Sequence, residues 1–475
     1  MQVEREAFLD HFDLEAYASK YADRNKLQRL LFIADTIPSV QTEALSMLER
    51  DVKSGTDMAL YQQVLNRKAQ LQATESADCS KKRGRDEAED KEENVVMEDA
   101  YRHSKTHSDI GFRGLTAQDQ AHIDNVKRNV SHTHARLEQE LNSYKSSMIK
   151  ESIRMGHNDL GEFYYHLGDL PSALKSFAQA RDYCTTDKHS TEMCLNVIKV
   201  CFSIIQLNLN ISKKFELFQV ALHLRNYTHV TNYVIKLNQL LNPQSDNVLK
   251  SKVAAVFGLI ALHEGKYKNA AEKFISCHID IGASYNEVLH SEDIALYGGI
   301  CALATLTRDE LRDKVINNSS FKAFLELVPW LREMIADFYS GKYAACLASL
   351  EKRQGELLLD MYLCRHVDSM TKKIRNRAII QFFYPYTSVD LNQMAKALNY
   401  DPTLLEKQVC QLISSGSISA RIDGYEKVLH AYNPGPSPKT YEEAFRVGTN
   451  YAEETRNLLL RMSLLNNRIF VKANE

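Results

Sequence analysis

LGEFYYHLGDLPSALKSFAQA, residues 160–180, decides the fold class of this 475-residue chain. Gly161, Tyr164, Gly168, Ala173, Phe177 and Ala180 are set along it at intervals that suit two antiparallel helices. Gly168 permits the tight turn before the second helix, Ala173 lets the helices approach closely, and Phe177 fills the space toward the next pair. Gly258, Ala261, Gly265, Ala270, Phe274 and Cys277 repeat the same spacing 97 residues on. A weaker third copy, FYSGKYAACLASLEK at 338–352, carries Gly341, Tyr343, Cys346 and Leu350.

Such units match the tetratricopeptide pattern, in which no helical hairpin buries its apolar face alone and neighbours stack into a solenoid. The expected fold class is therefore all-α dominated, with TPR-like repeats over residues 115–370. Toward the N-terminus, residues 1–73 read as a helical arm, with Leu27, Leu30, Leu31 and Ala34 at helical spacing and Pro38 as a break. Residues 74–114 are crowded with charges of both signs and poor in large apolar groups, which predicts a disordered linker. Its KKRGR run, Lys81 to Arg85, has the composition of a nuclear-localisation patch, though a solvated linker is the plainer reading.

Toward the C-terminus, residues 371–432 change character. A basic-faced helix meets Pro385, a second helix opens at 388 and runs to about Leu398, and a third buries Leu405, Val409, Leu412 and Ile413. Ile418, Ala420 and Ile422 then alternate with polar residues, and Asp423-Gly424 marks a hairpin turn before Val428 and Leu429. Helix, turn and hairpin make a winged helix. Residues 433–475 read as a Pro-rich linker and a last helix, with Thr440 and Glu443 as a capping box. Its stripe of Leu458, Leu459, Met462, Leu465 and Ile469 cannot be buried by one helix alone.

Composition narrows the function. Hydrophobic residues make up 44% and charged residues 25%, with a formal net charge of -2, so the strong basic bias of a dedicated nucleic-acid binder is missing. The recognition helix of the winged module offers Glu406, Lys407, Gln408 and Gln411, and the wing sets Arg421 and Lys427 against Asp423 and Glu426. The phosphate-neutralising charge that dominates nucleic-acid affinity is absent there. Nine scattered cysteines without a C-x-x-C pair argue for small core residues in a reducing compartment, cytosol or nucleus. No basic-plus-apolar leader opens the chain, and no uninterrupted apolar run approaches the ~18 residues of a membrane span, so no membrane partner is expected.

Enzyme motifs are missing as well: no phosphate loop, no G-x-G-x-x-G after a strand, no G-x-S-x-G and no H-E-x-x-H. His132-x-His134 with Ser143 is close to a zinc isopeptidase pattern. Ala135 and Ser146 stand where that pattern has Pro and Asp, and on a helix two histidines two apart face different ways. His103 and His107 lie in the charged linker. The expectation is no catalytic site, no cofactor and no metal.

Helical repeats running straight into a winged helix resemble the PCI domain family, whose members occur in the proteasome lid, the COP-nine signalosome and a translation initiation factor. Residues 12–35, 149–184, 193–200 and 412–431 are similar to the signalosome branch, and the proteasome lid is the alternative. A nucleic-acid-binding PCI protein is a more remote reading. The resemblance implies a noncatalytic scaffold in the complex that removes the ubiquitin-like protein NEDD from cullins. Its partners would be other PCI and isopeptidase-type subunits, and cullin–RING ligases through the assembled complex, in cytoplasm and nucleus. In the family, winged-helix sheets join side by side and C-terminal helices gather in a bundle. Carried over, this makes Ile418, Ala420, Ile422, Val428 and Leu429 candidate sheet contacts and Leu458, Leu459, Met462, Leu465 and Ile469 candidate bundle contacts. It also implies an N-terminal arm that projects away.

Overall fold

The computed structural model describes residues 13–37, 40–83, 117–211, 230–239, 246–282, 284–432 and 436–469. The chain is mostly helical and divides into two compact units, Met1–Ile374 and Arg375–Glu475.

In the first unit the helical hairpins form for the reasons the repeat suggested. Lys150–Leu167 ends at Gly168, which sits at φ 95 and returns its N–H to Tyr164 and Tyr165. Asp169 caps the next helix, Leu170–Ala180, by accepting from Ser172, and Pro171 occupies its first turn, where a missing N–H costs nothing. A Cβ on Gly161 would lie 2.7 Å from the Phe177 ring, and one on Gly258 would lie 2.7 Å from the Phe274 ring. The glycine is thus the seat of the phenylalanine. In the third copy the position seven before Gly341 is Met334 and the phenylalanine position is Leu350, so bulk moves from one helix to the other. Both are buried.

Gly161→Ala should therefore overpack the hairpin, destabilising the chain by about 1–2 kcal/mol once alanine's better helix propensity is counted. Phe177→Leu in the same chain should recover part of that loss. A urea-unfolding double-mutant cycle checks it: simple additivity would show that ring and glycine do not share the space.

The helix Ser291–Thr305 carries two further seats that the repeat pattern did not reveal. A Cβ on Gly298 would come within 2.9 Å of Phe321, and one on Gly299 within 2.7 Å of Leu331. Twelve of its residues are buried, which explains its lack of a polar face. The helix Asp187–Ile211 includes a stretch, 187–207, long and apolar enough to cross a bilayer. Its Cys194, Val197, Ile198, Val200, Cys201, Phe202 and Ile205 are instead buried against protein. Burial pushes the Cys201, Cys277 and Cys346 thiols up to about 12, which leaves them inert.

The N-terminal residues depart from the expectation of a projecting arm. Leu14–Ser19, Asp23–Thr36, Gln41–Lys53 and the start of Met58–Arg83 form a layer with its own core of Leu30, Ile33, Leu45, Leu48, Tyr61 and Val64. Ile123 and Leu359, from later helices, join that core. The layer is bolted down by Arg29, which is fully buried. Its guanidinium donates to Asp360 at 2.9 Å, to Asp293 at 3.0 Å and to the Tyr17 hydroxyl at 2.9 Å, and lies 4.1 Å from the Tyr21 ring centroid. Burial works against the Arg29 charge, but the surrounding Tyr17, Tyr21, Asp293 and Asp360 oxygens outweigh it and hold it protonated. Burial also raises the Asp293 carboxyl, with Arg29 opposing the shift. Asn25 donates to the Asn286 and Val288 carbonyls, and Gln28 to the Ser203 carbonyl, so the polar residues buried on this helix tie the layer to the repeat.

The helix Met58–Arg83 runs past Thr74, where composition placed the start of the linker. Residues 84–116, with His103, His107 and the end of the Lys81–Arg85 run, lie outside the described residues.

The second unit opens within the helix Val367–Phe383 and contains a three-stranded sheet: β1 (Ser388–Asp390), β2 (Ala420–Ile422) and β3 (Val428–Ala431). The order is β1-β3-β2, all antiparallel. The sequence pattern predicts a helix start at 388, where the structure has strand β1. Three residues carry too little pattern to show a strand, and β1 exists because Val389 pairs with Leu429, forty positions away. The helix proper starts at Leu391, with Asp390 as its cap, and Asn399 closes it in the left-handed region at φ 51. Asp401 caps Pro402–Ser414 in the same way.

The hairpin turn also differs. Gly424 is not left-handed; Asp423 accepts from the Tyr425 and Glu426 N–H groups at 2.8 and 3.3 Å, and Lys427 takes the positive φ of 57. The turn is therefore a four-residue loop rather than a two-residue Asp-Gly turn. The last helix spans Pro436–Asn466, which places Thr440 and Glu443 inside it rather than at its cap. Pro436 and Pro438 fall in the first turn, where backbone N–H groups have no helical partner to lose.

Candidate functional site

No catalytic constellation assembles from the described residues. His134 donates to or accepts from the Tyr164 hydroxyl at 2.7 Å and packs beside Phe163 and Tyr164, while His132 is exposed. The two histidines of the near-isopeptidase pattern thus face different surroundings. Among the described residues, no three His, Cys, Asp or Glu side chains gather as a metal site.

The first unit has a cleft of about 730 Å³ with Leu27, Val52, Val130 and Phe163 on its walls. Its charges neutralise one another: Lys26 pairs with Asp51 at 2.6 Å and Arg24 with Asp57 at 2.6 Å. Arg24 spends a second N–H on the Tyr165 carbonyl at 3.0 Å. These ions hold helices together, and none is poised to transfer a proton or to polarise a substrate.

The residues predicted as partner contacts all lie in the second unit. Leu391, Met394, Leu398, Leu405, Val409 and Leu412 form the core of the winged helix. Ile418, Ala420 and Leu429 complete it, at 6%, 7% and 0% exposure, so these three predicted contact side chains are turned inward. Leu429 and Val428 also lie on β3, which has a neighbour on both sides and no edge to offer.

What remains is the backbone of β2. Tyr432 donates to the Ser419 carbonyl and Asp423 to the Val428 carbonyl. The alternation of an antiparallel ladder then turns the N–H and C=O of Ala420 and Ile422 away from β3 toward the open edge. At these two positions the open edge presents main chain. Sequence alternation detected that this was a strand. Its place at the edge follows from the arrival of β1 on the far side of β3.

The recognition helix offers phosphate one exposed cation, Lys407. Lys427 Nζ reaches both carboxylate oxygens of Glu406, at 2.8 and 3.1 Å, and Gln408 donates to the Tyr400 hydroxyl at 2.8 Å. Of the charges balanced in the sequence, Lys427 and Glu406 are engaged with each other.

The last helix presents a second surface. Leu458, Leu459, Met462, Leu465 and Ile469 are between 53% and 68% exposed. Reading back by sevens extends the stripe: Met462 and Ile469 continue a row from Tyr441, Leu458 and Leu465 a row from Ala444 through Tyr451, and Leu459 a row from Phe445 through Ala452. Three adjacent rows out of seven give the broad face of a helix bundle rather than the narrow seam of a two-stranded coil. Tyr441, Phe445 and Tyr451, all exposed, were missed because the reading began at Leu458.

The chain is similar to known proteins along most of its length. A family model described as 26S proteasome subunit RPN7 matches residues 119–210 and 203–314, and the PCI domain model matches residues 342–433. The COP9 signalosome complex subunit 1 of Arabidopsis thaliana is 37% identical over 97% of this chain and 91% of its own length. The COP9 signalosome complex subunit 1b of Drosophila melanogaster is 36% identical over 97% of this chain and 86% of its own. The 26S proteasome non-ATPase regulatory subunit 6 of Caenorhabditis elegans is 23% identical over 65% of this chain and 72% of its own.

Proposed function

The chain belongs to the COP9 signalosome subunit 1 family, and we propose that it serves as a noncatalytic scaffold subunit of that complex. The observation that carries this reading is the pair of unpartnered surfaces in the second unit: the main-chain edge of β2 and the apolar face of the last helix. A sheet edge accepts a strand through backbone hydrogen bonds, and a broad apolar stripe accepts helices. Together they specify attachment to neighbours by structure rather than by a reacting group. The neighbours would be other PCI and isopeptidase-type subunits, and the assembled complex would act on cullin–RING ligases. Cytoplasm and nucleus are the compartments consistent with the free, buried cysteines.

Affinity purification of the tagged chain from its own cells tests this. The co-purifying masses should be those of signalosome subunits; proteasome ATPases in their place would transfer the chain to the lid. In a second arm, Ile422→Pro removes an N–H that points to the open edge and leaves the β2–β3 ladder intact. It should lower recovery of a neighbouring PCI subunit several-fold while the melting temperature moves little. Undiminished recovery would remove β2 from the assembly surface.

A further inference from the structure

The helix Ala117–Ser147 is anchored in two separate cores. Ile123 is buried with the N-terminal layer, and Leu141 is buried with Ile153 and Leu160. These anchors stand roughly 27 Å apart along the helix. Between them Val126, Asn129, Val130 and Thr133 recur at helical spacing, so they share one face, and all four line the cleft of the first unit. Short side chains stand there, where leucine or phenylalanine would fill the space. Leu27 and Phe163, from other helices, are half-buried like Val126 and Val130, so an open apolar trough of about 730 Å³ remains.

A smaller cavity of about 190 Å³ adjoins the trough, and Asp23, Tyr165 and His166 line both. The two differ in charge. In the trough, Lys26 pairs with Asp51 and Arg24 with Asp57. In the smaller cavity, Asp23, Glu162 and Glu287 face one cation, Lys199, which stands 2.7 Å from Glu287 and 3.8 Å from Asp23. Glu162 is exposed and has no ion pair among the described residues. Lys252 also acts on Glu287, but it stands over the Tyr285 ring at 5.5 Å and does not line the cavity. Counting it still leaves a carboxylate in excess.

We propose that the trough and the cavity together dock an extended segment of a partner protein, one that carries a bulky apolar residue with an arginine or lysine close to it. The apolar side chain enters the trough beside Val126 and Val130. The basic head enters the smaller cavity and donates charge-assisted bonds to the carboxylates of Glu162 and Asp23. Between the two, the segment crosses the shared wall of Asp23, Tyr165 and His166. An acidic segment would meet an excess of like charge there, and an uncharged one would leave Glu162 without a counter-ion. Both cavities belong to the first unit, so their test needs neither the β2 edge nor the last helix.

The probes are the fluorescein-labelled peptide Ser-Gly-Leu-Gly-Arg-Gly-Ser and its relatives with no, two or three glycines between Leu and Arg. They are titrated against the full chain by fluorescence anisotropy. The best spacing should bind and should weaken as salt rises. It should lose at least fivefold when its Arg is replaced by Glu or Gln, or its Leu by Gly. Val130→Trp, which fills the trough, should weaken binding at least fivefold, and Glu162→Gln at least threefold. Glu333→Gln, an exposed carboxylate elsewhere in the first unit, should leave it unchanged. Glu162 is exposed and Val130 half-buried, so an unchanged melting temperature separates loss of the site from loss of the fold. Failure of every spacing to bind, equal binding of the Glu or Gln peptide, or equal binding by Val130→Trp or Glu162→Gln would overturn the proposal. Dimerisation of the chain abolished by Val130→Trp would assign the trough to a second copy and overturn it as well.

Discussion

Leu459→Asp combined with Met462→Asp should release the chain from its complex while leaving both units folded. Neither side chain supports the fold: they are 63% and 65% exposed, so in the isolated chain the substitution replaces apolar surface already in water. In a bundle the same positions would be covered. Each side chain would then contribute about 1.5–3 kcal/mol of burial, and each aspartate would have to be desolvated without a partner. The combined loss is on the order of 5 kcal/mol or more, enough to weaken association several-thousandfold. Gel filtration of the reconstituted complex, with circular dichroism of the free variant, checks both halves. Unchanged co-migration with the other subunits would show that the exposed stripe is not a bundle face. A variant that melts early would show that the stripe has a role inside the chain.

The second large effect concerns stability rather than assembly. Arg29→Met should destabilise the first unit by about 3–5 kcal/mol, since it leaves Asp293 and Asp360 buried without their shared cation. That is a large part of the roughly 5–15 kcal/mol that holds a domain together, so the N-terminal layer should detach. Limited proteolysis should then cut near the layer's loops in the variant and not in the parent. Adding Asp293→Asn and Asp360→Asn should restore much of the loss, because a neutral cluster of similar shape no longer buries an unpaired charge. The melting temperature of the three-substitution chain decides the point. If it stays as low as that of Arg29→Met alone, what the layer depends on is the guanidinium's packing between Tyr21 and Tyr362 rather than its charge.

These two cases mark where the sequence was legible. The apolar stripe of the last helix could be read because a helix declares its own face: residues three, four and seven apart stand together whatever the rest of the chain does. Arg29 could not be read. Its acidic partners are 264 and 331 residues away, and nothing within a helical turn distinguishes it from the exposed arginines of other helices. The expectation of a projecting arm failed for the same reason, since an amphipathic helix says that it must pack but not against what.

The winged helix shows the same division on a smaller scale. Alternating Ile418, Ala420 and Ile422 announced a strand, and Pro402 announced a helix start, because both signals are local. That Ile418, Ala420 and Leu429 face inward, and that the main chain of Ala420 and Ile422 points to an open edge, required β1 to be in place. Its pairing with β3 spans forty residues. By itself the sequence determined the helical hairpins, since Gly161 with Phe177 and Gly258 with Phe274 encode a close approach inside one short unit. It also determined the wing and the detached apolar helix. The tertiary structure alone decided which strand is an edge, which side chains are spent on the core, and that the N-terminal layer is locked to the repeat. Each of those depends on contacts between distant segments, and periodicity, which reports only a segment's own faces, carries no record of them.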